Sequence, residues 1–296
     1  MSADMPKKLF FDRPPVGVQL KLLASFGLAI LLGLVVGSQF IGQQVSVVED
    51  SDSLANAGYF FLYVLFSTAL LLLLLHYYKG KKLFFFAELL LEFSALQILF
   101  ALFSDSTYSF FAALAVVALR VWMPALKQPL LFIATMTVGA LLGSSFGFVP
   151  AFVLSFLLAA YDYFAVFKSK HMVTLAKELQ SRQAAFAIEF RNAAAKVSTG
   201  KKPGNKAVRG KKGEIAVPAG DRILLGTGDF VIPVMLSVSL LKISVFSALA
   251  AGLGAFVGLS ILLYIMQKTR GYYPALPPIV LFASLFYALS LLVAVL

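Results

Sequence analysis

Nine apolar runs alternate with short polar breaks along the chain, at roughly residues 22–41, 58–78, 83–103, 107–126, 129–147, 149–167, 223–241, 244–266 and 275–296. Each is about as long as a helix must be to cross a hydrocarbon core of about 30 Å. None alternates with the period of two that marks a half-buried strand. A segment in lipid must also satisfy its own backbone, so each run predicts a transmembrane helix. The predicted fold is all-α: a polytopic membrane protein of about nine transmembrane helices. The first run is too long for the apolar core of a signal peptide and is expected to be retained. A short glycine-rich turn, Gly143 to Gly147, followed by Pro150, separates the fifth and sixth runs.

Charge orients this array. Lys7, Lys8, Arg13 and Lys21 precede the first run. On the same side fall Lys79, Lys81 and Lys82, then Lys127 with Arg120 nearby, then a long basic loop, then Lys268 and Arg270. The opposite loops carry Glu49, Asp50, Asp52 and Asp105, with Lys242 their one cation. The basic side is expected to be cytoplasmic, so an odd number of crossings puts the N-terminus inside and the C-terminus outside. Three parts follow: an N-terminal six-helix part (1–167), a basic cytoplasmic loop (168–222) and a C-terminal three-helix part (223–296). In the loop, Met172, Leu175, Leu179, Phe186 and Phe190 recur at helical spacing among Lys177, Arg182 and Arg191, which predicts an amphipathic helix at the headgroup boundary. From Ser198 to Gly213, lysines, arginines, Pro203 and glycines leave too little apolar surface for a core, which predicts a mobile stretch.

Composition sharpens the class. The 296 residues are 60% hydrophobic and 13% charged, against about 25% charged in soluble domains. The protein is therefore expected in a cell membrane as a multi-pass protein. The net charge of +11 concentrates in the basic loop and cytoplasmic breaks, which suits anionic lipid headgroups and not nucleic acid. There is no cysteine, and His76 and His171 are the only histidines. No metal and no cofactor are expected. Trp122 and nearby tyrosines read as interface anchors, His76 as a span end and His171 as interfacial.

Four carboxylates fall inside spans, where each costs several kcal/mol to insert and so calls for an account. Asp162 lies six residues before Lys168, and Asp229 seven residues after Arg222 on a helix running the other way. On helical rise both sit about 9–10 Å below the basic surface, so two neighbouring helices can bring them together. Two close carboxyls do not both ionise. The ionised one can draw a proton from water while the protonated one donates to a carbonyl, which is the chemistry of aspartic proteolysis. Gly226 and Gly228, flanking Thr227 just before Asp229, leave room for a peptide backbone beside the carboxyl. Pro274, Ala275, Leu276 and Pro277, followed by Pro278, deny the last span ordinary hydrogen bonds at its start and favour an extended stretch at the same depth. Glu88 and Glu92, one turn apart, suit a proton relay, a wall of the same wet cavity, or snorkelling to the surface.

Tyr161-Asp162, Gly226-Thr227-Gly228-Asp229 and Pro274-Ala275-Leu276, in that order and in the sixth, seventh and ninth of nine spans, resemble the YD, GxGD and PAL motifs of the presenilin and signal peptide peptidase family of intramembrane aspartyl proteases. The resemblance implies that Asp162 and Asp229 are the catalytic pair and that the Pro274 to Leu276 stretch shapes the active site and helps seat substrate. It also implies that substrates are transmembrane helices of membrane proteins or signal peptides. The orientation and compact length look most similar to the archaeal presenilin homologues. Thr227 departs from the Leu usual in presenilins at a position implicated in substrate choice. A helical substrate must unwind before water can attack it. The Pro274 to Pro277 stretch, or the residues leading into span seven, are candidates for pairing with it by strand addition. The alternatives are a secondary transporter with a carboxylate relay, a prepilin-type peptidase, which lacks the PAL stretch, and a noncatalytic scaffold.

Overall fold

A computed structural model describes residues 16–77, 82–168, 187–191, 222–268 and 273–295. Among these residues the helices are α1 (Val16–Gly42), α2 (Leu54–Tyr77), α3 (Lys82–Ala101), α4 (Ser106–Trp122), α5 (Lys127–Ser145), α6 (Phe148–Phe167), α7 (Thr227–Leu241), α8 (Val245–Lys268) and α9 (Leu276–Val295). A 3-10 turn at Pro124–Leu126 leads directly from α4 into α5, ending the fourth span earlier than its apolar composition suggests. Among the described residues seven helices are long and apolar enough to cross a membrane; α4 and α7 are shorter, at 17 and 15 residues.

The centre of the bundle is α7, the short helix, and small residues on its neighbours let it sit there. A Cβ added at Gly33 of α1 would meet the Val234 side chain of α7, and one at Gly37 would meet Val238. From the other side a Cβ at Gly139 of α5 would lie 2.9 Å from the Val231 carbonyl oxygen, and one at Gly143 2.6 Å from that of Met235. Val234 and Val238 are fully buried between these two glycine-faced helices. Gly254 and Gly258 give α8 the same closeness to the α9 backbone at Phe282 and Pro278. In lipid the apolar effect does not drive helices together, so contact of this kind is the main source of cohesion. The outer faces carry exposed Leu62, Phe66, Leu253 and Leu281, as lipid contact requires.

Two features correct the sequence expectation. The seventh span does not begin at residue 223: Arg222–Gly226 is a strand, β2, and the helix starts at Thr227. The second strand, β1, is Ala187–Arg191, which pairs antiparallel with β2 in the register Ile188↔Leu225, Glu189↔Leu224 and Phe190↔Ile223. The amphipathic helix expected through Phe190 is therefore replaced at that end by a strand. Ile188 and Phe190 alternate with Glu189 and bury their side chains with Ile223 and Leu225 against the bundle core. Met172, Leu175, Leu179, Phe186 and the Ser198 to Gly213 stretch lie outside the described residues, as does His171.

Candidate active site

Asp229 owes its position to the start of α7. Gly226 is the residue before the first turn, extended at φ −61° and ψ 145°, and Asp229 is the third helical residue. Its carboxyl reaches back to accept the Gly226 amide, the reciprocal half of a capping box. A Cβ at Gly226 would lie 3.3 Å from Asp229 Oδ2, whereas one at Gly228 would meet nothing within 4 Å. Thus Gly226 admits the carboxyl, and Gly228 leaves open space beside it. The next residue, Phe230, is the anchor: buried, with its ring 5.5 Å from that of Phe26 on α1 and 6.2 Å from that of Phe132 on α5. Such ring pairs add about 0.5–1.5 kcal/mol each beyond area burial.

Asp162 is set by α6 in the same way, with its neighbour turned outward. Tyr161 faces α2: its ring stands edge-on to Phe61 at 6.4 Å and its hydroxyl is hydrogen-bonded to Thr68. About 100° around the helix, Asp162 points to the start of α9. The Leu276 amide donates to Asp162 Oδ2 at 3.2 Å, and the Ala275 amide also bonds this carboxyl. The first amides of a helix have no partner within it. In α9, Pro277 and Pro278 remove two of them, and Asp162 accepts that of Leu276 across the bundle. Ala275 and Leu276 are buried, and Pro274 precedes them in non-helical backbone. Each aspartate therefore sits at a helix N-terminus, where backbone partial charges favour an anion.

The two carboxyls line one cavity of about 140 Å³. Its walls are Leu22 of α1, Ile223 and Leu225 of β2, Leu259, Leu262, Leu263 and Met266 of α8, and Tyr273 and Ala275 before α9. The site thus joins two acids with an apolar chamber and a strand. Tyr161 lies outside that wall, turned toward α2. Of the sequence candidates, Gly226, Ala275 and Leu276 touch the aspartates. Pro274 and Pro277 flank Ala275 and Leu276 in the chain, the first in non-helical backbone and the second in the first turn of α9.

Glu88 and Glu92 are elsewhere. They are fully buried with Arg120 of α4, which approaches Glu88 Oε1 at 3.2 Å and Glu92 Oε2 at 3.0 Å. Lys127, at the start of α5, lies 3.1 Å from both Glu88 oxygens. The guanidinium also stands 5.2 Å from the centre of the Phe85 ring. Arg120 is therefore an internal partner of these carboxylates and not a boundary cation. The cluster joins two acids and two bases.

A short seventh helix preceded by a strand, and two carboxyls facing one chamber inside the bundle, define a membrane-embedded acid pair. Residues 22–294 match the family model described as signal-peptide peptidase, presenilin aspartyl protease, so the chain belongs to that family. Two solved structures share the fold, each of a presenilin family intramembrane aspartate protease. One, in space group C222, superposes with a TM-score of 0.63 at 22% identity, covering 93% of this chain and 99% of its own. The other, in space group P2, gives 0.59 at 23% identity, covering 95% and 98%. No curated protein matches the chain. The protein is a multi-pass membrane protein and an intramembrane aspartyl protease, acting on transmembrane-helix substrates.

Proposed function

We propose that Asp162 and Asp229 are the catalytic dyad and that the strand pair in front of them receives the unwound substrate. The observation that carries this is the shared chamber: both carboxyls line it, and so do Ile223 and Leu225 of the strand leading into Asp229. One carboxyl is ionised and takes a proton from a water as its oxygen attacks the scissile carbonyl carbon. The other, protonated, donates to the carbonyl oxygen, giving a tetrahedral diol. The diol collapses as the C–N bond breaks, with a proton passing to the departing nitrogen. The acids titrate as a pair, so the roles belong to the dyad.

The substrate supplies a strand. Ladder bonds alternate along an antiparallel pair, and Glu189 donates its amide away from β2, to Gln128. Its partner Leu224 therefore directs its own N–H and C=O away from β1. Gly226, in the same phase, donates to Asp229. The outer edge of β2 thus runs straight to the dyad, where an unwound peptide adds by main-chain hydrogen bonds. In this reading Pro274 to Pro277 hold α9 for Asp162 and are not themselves the pairing strand. Thr227, beside that edge, contributes to substrate choice. The basic side is cytoplasmic and the 168–222 segment joins the two membrane parts there, in a cell membrane whose anionic lipids meet the lysines.

The test is cleavage of a single-span substrate by reconstituted protein, comparing parent, Asp162→Asn and Asp229→Asn. Each change should lower turnover by a factor on the order of 10³ or more with the fold intact. Parental turnover in both variants rejects the dyad.

A further inference from the structure

A two-stranded ribbon is marginal by itself, and this one has to present an edge in a fixed register. Side-chain burial of Ile188, Phe190, Ile223 and Leu225 holds its face. Its other edge, that of β1, is held by a different device. Gln128, in the first turn of α5, accepts the Glu189 amide through Oε1 at 3.1 Å. That bond lies on the side of β1 opposite β2. Residue 127 next to it is the lysine clamped by both oxygens of Glu88, and Glu88 shares Arg120 with Glu92. The buried charge cluster of α3 and α4 therefore fixes the turn of α5 from which Gln128 reaches the ribbon.

We propose that Gln128 is a positioning residue of the proteolytic reaction: it pins the outer edge of β1, so that β2 stands in one register against Asp229 and the substrate is cut at one place. The inference rests on the strand-addition reading above. A slip of one residue in such a ribbon would turn Glu189 toward the core and Ile188 and Phe190 away from it, and would displace the Leu224 and Gly226 edge relative to the dyad. Pairing forms fully only once the substrate is unwound, so the loss should fall on kcat and not on KM.

The test uses the full chain in bilayers with Gln128→Met, which keeps length and removes the acceptor, and Gln128→Glu, which keeps an acceptor oxygen. In Gln128→Met, amide exchange at 187–191 should quicken about fivefold to tenfold, the equivalent of one lost hydrogen bond. The kcat should fall about tenfold with KM within about twofold, and product masses should spread over neighbouring bonds. Gln128→Glu should restore all three. Unchanged exchange in Gln128→Met overturns the anchor; faster exchange with parental kcat and a single cut overturns its role in the reaction. Leu224→Pro separates the two readings, because it removes the outward amide of β2 without removing a ladder bond, at a position whose preceding residue is already extended. Loss of cleavage there supports strand addition. Parental cleavage overturns strand addition and the catalytic consequence drawn from it, while the exchange data still report on the anchor by itself.

Discussion

The bundle contains two pairs of carboxylates at membrane depth, and they are opposites. Glu88 and Glu92 are buried against Arg120 and Lys127, so their charge is answered by side chains, away from the wall of the aspartates' chamber. Asp162 and Asp229 line a chamber and are met by backbone amides of helix starts. A carboxylate paired with a buried guanidinium is answered within the protein and serves cohesion. Two carboxyls facing one space with only amide donors can share a proton and exchange it with water. Partner chemistry, not depth, distinguishes the cohesive pair from the proposed dyad.

The largest stability effect should come from breaking the first pair. Arg120→Met leaves Glu88 and Glu92 buried with only half-exposed Lys127 nearby, and should destabilise the protein by about 3–5 kcal/mol. Thermal unfolding in detergent reads the loss. Replacing all three together, Glu88→Leu, Glu92→Leu and Arg120→Met, should recover most of it, because an apolar set needs no charge partner. If the triple variant is no more stable than Arg120→Met, the ion pairs are not what holds α3 to α4.

Motif spacing was enough to pair Asp162 with Asp229, which line one chamber, but the helical rise from Arg222 that put them at one level does not hold, because Arg222–Gly226 is extended. The sequence could not separate strand from helix at 222–226, since Ile223-Leu224-Leu225 is as apolar as the helix after it. The signal was nonetheless present. Gly226 and Gly228 are poor helix formers and Asp229 suits a first turn, which together mark a helix start at Thr227. Likewise Ala187-Ile188-Glu189-Phe190-Arg191 alternates, although Phe186 and Phe190 also fit a helical repeat. The function of Arg120 was hidden for another reason. A cation near a span end reads as a topology signal, and only packing of α4 on α3 reveals that it points inward.

Intermediate effects should come from the glycines that seat α7, and thus Asp229. At Gly139 an added methyl meets the Val231 backbone carbonyl as well as Val234, so Gly139→Ala should cost about 1–3 kcal/mol as overpacking. Truncating Val234 should not rescue it. At Gly33 the three nearest atoms belong to the Val234 side chain, so Gly33→Ala should be largely rescued by Val234→Ala. Thermal unfolding of the two double variants decides this; equal rescue at both positions contradicts the backbone contact.

The smallest effect should be at Lys127, the member of the charge cluster that water reaches. Its side chain is 29% exposed while those of Glu88 and Arg120 are 2% and 3%. An ammonium at that exposure is largely solvated in any state, and Arg120 remains to hold both carboxylates. Lys127→Met should therefore cost about 1 kcal/mol or less, read by thermal unfolding at low salt. Raising the salt should shrink the difference between parent and variant, because screening acts on the partly exposed pair and little on the buried one. A loss as large as that of Arg120→Met, insensitive to salt, would mean that the cluster depends on Lys127 as fully as on Arg120.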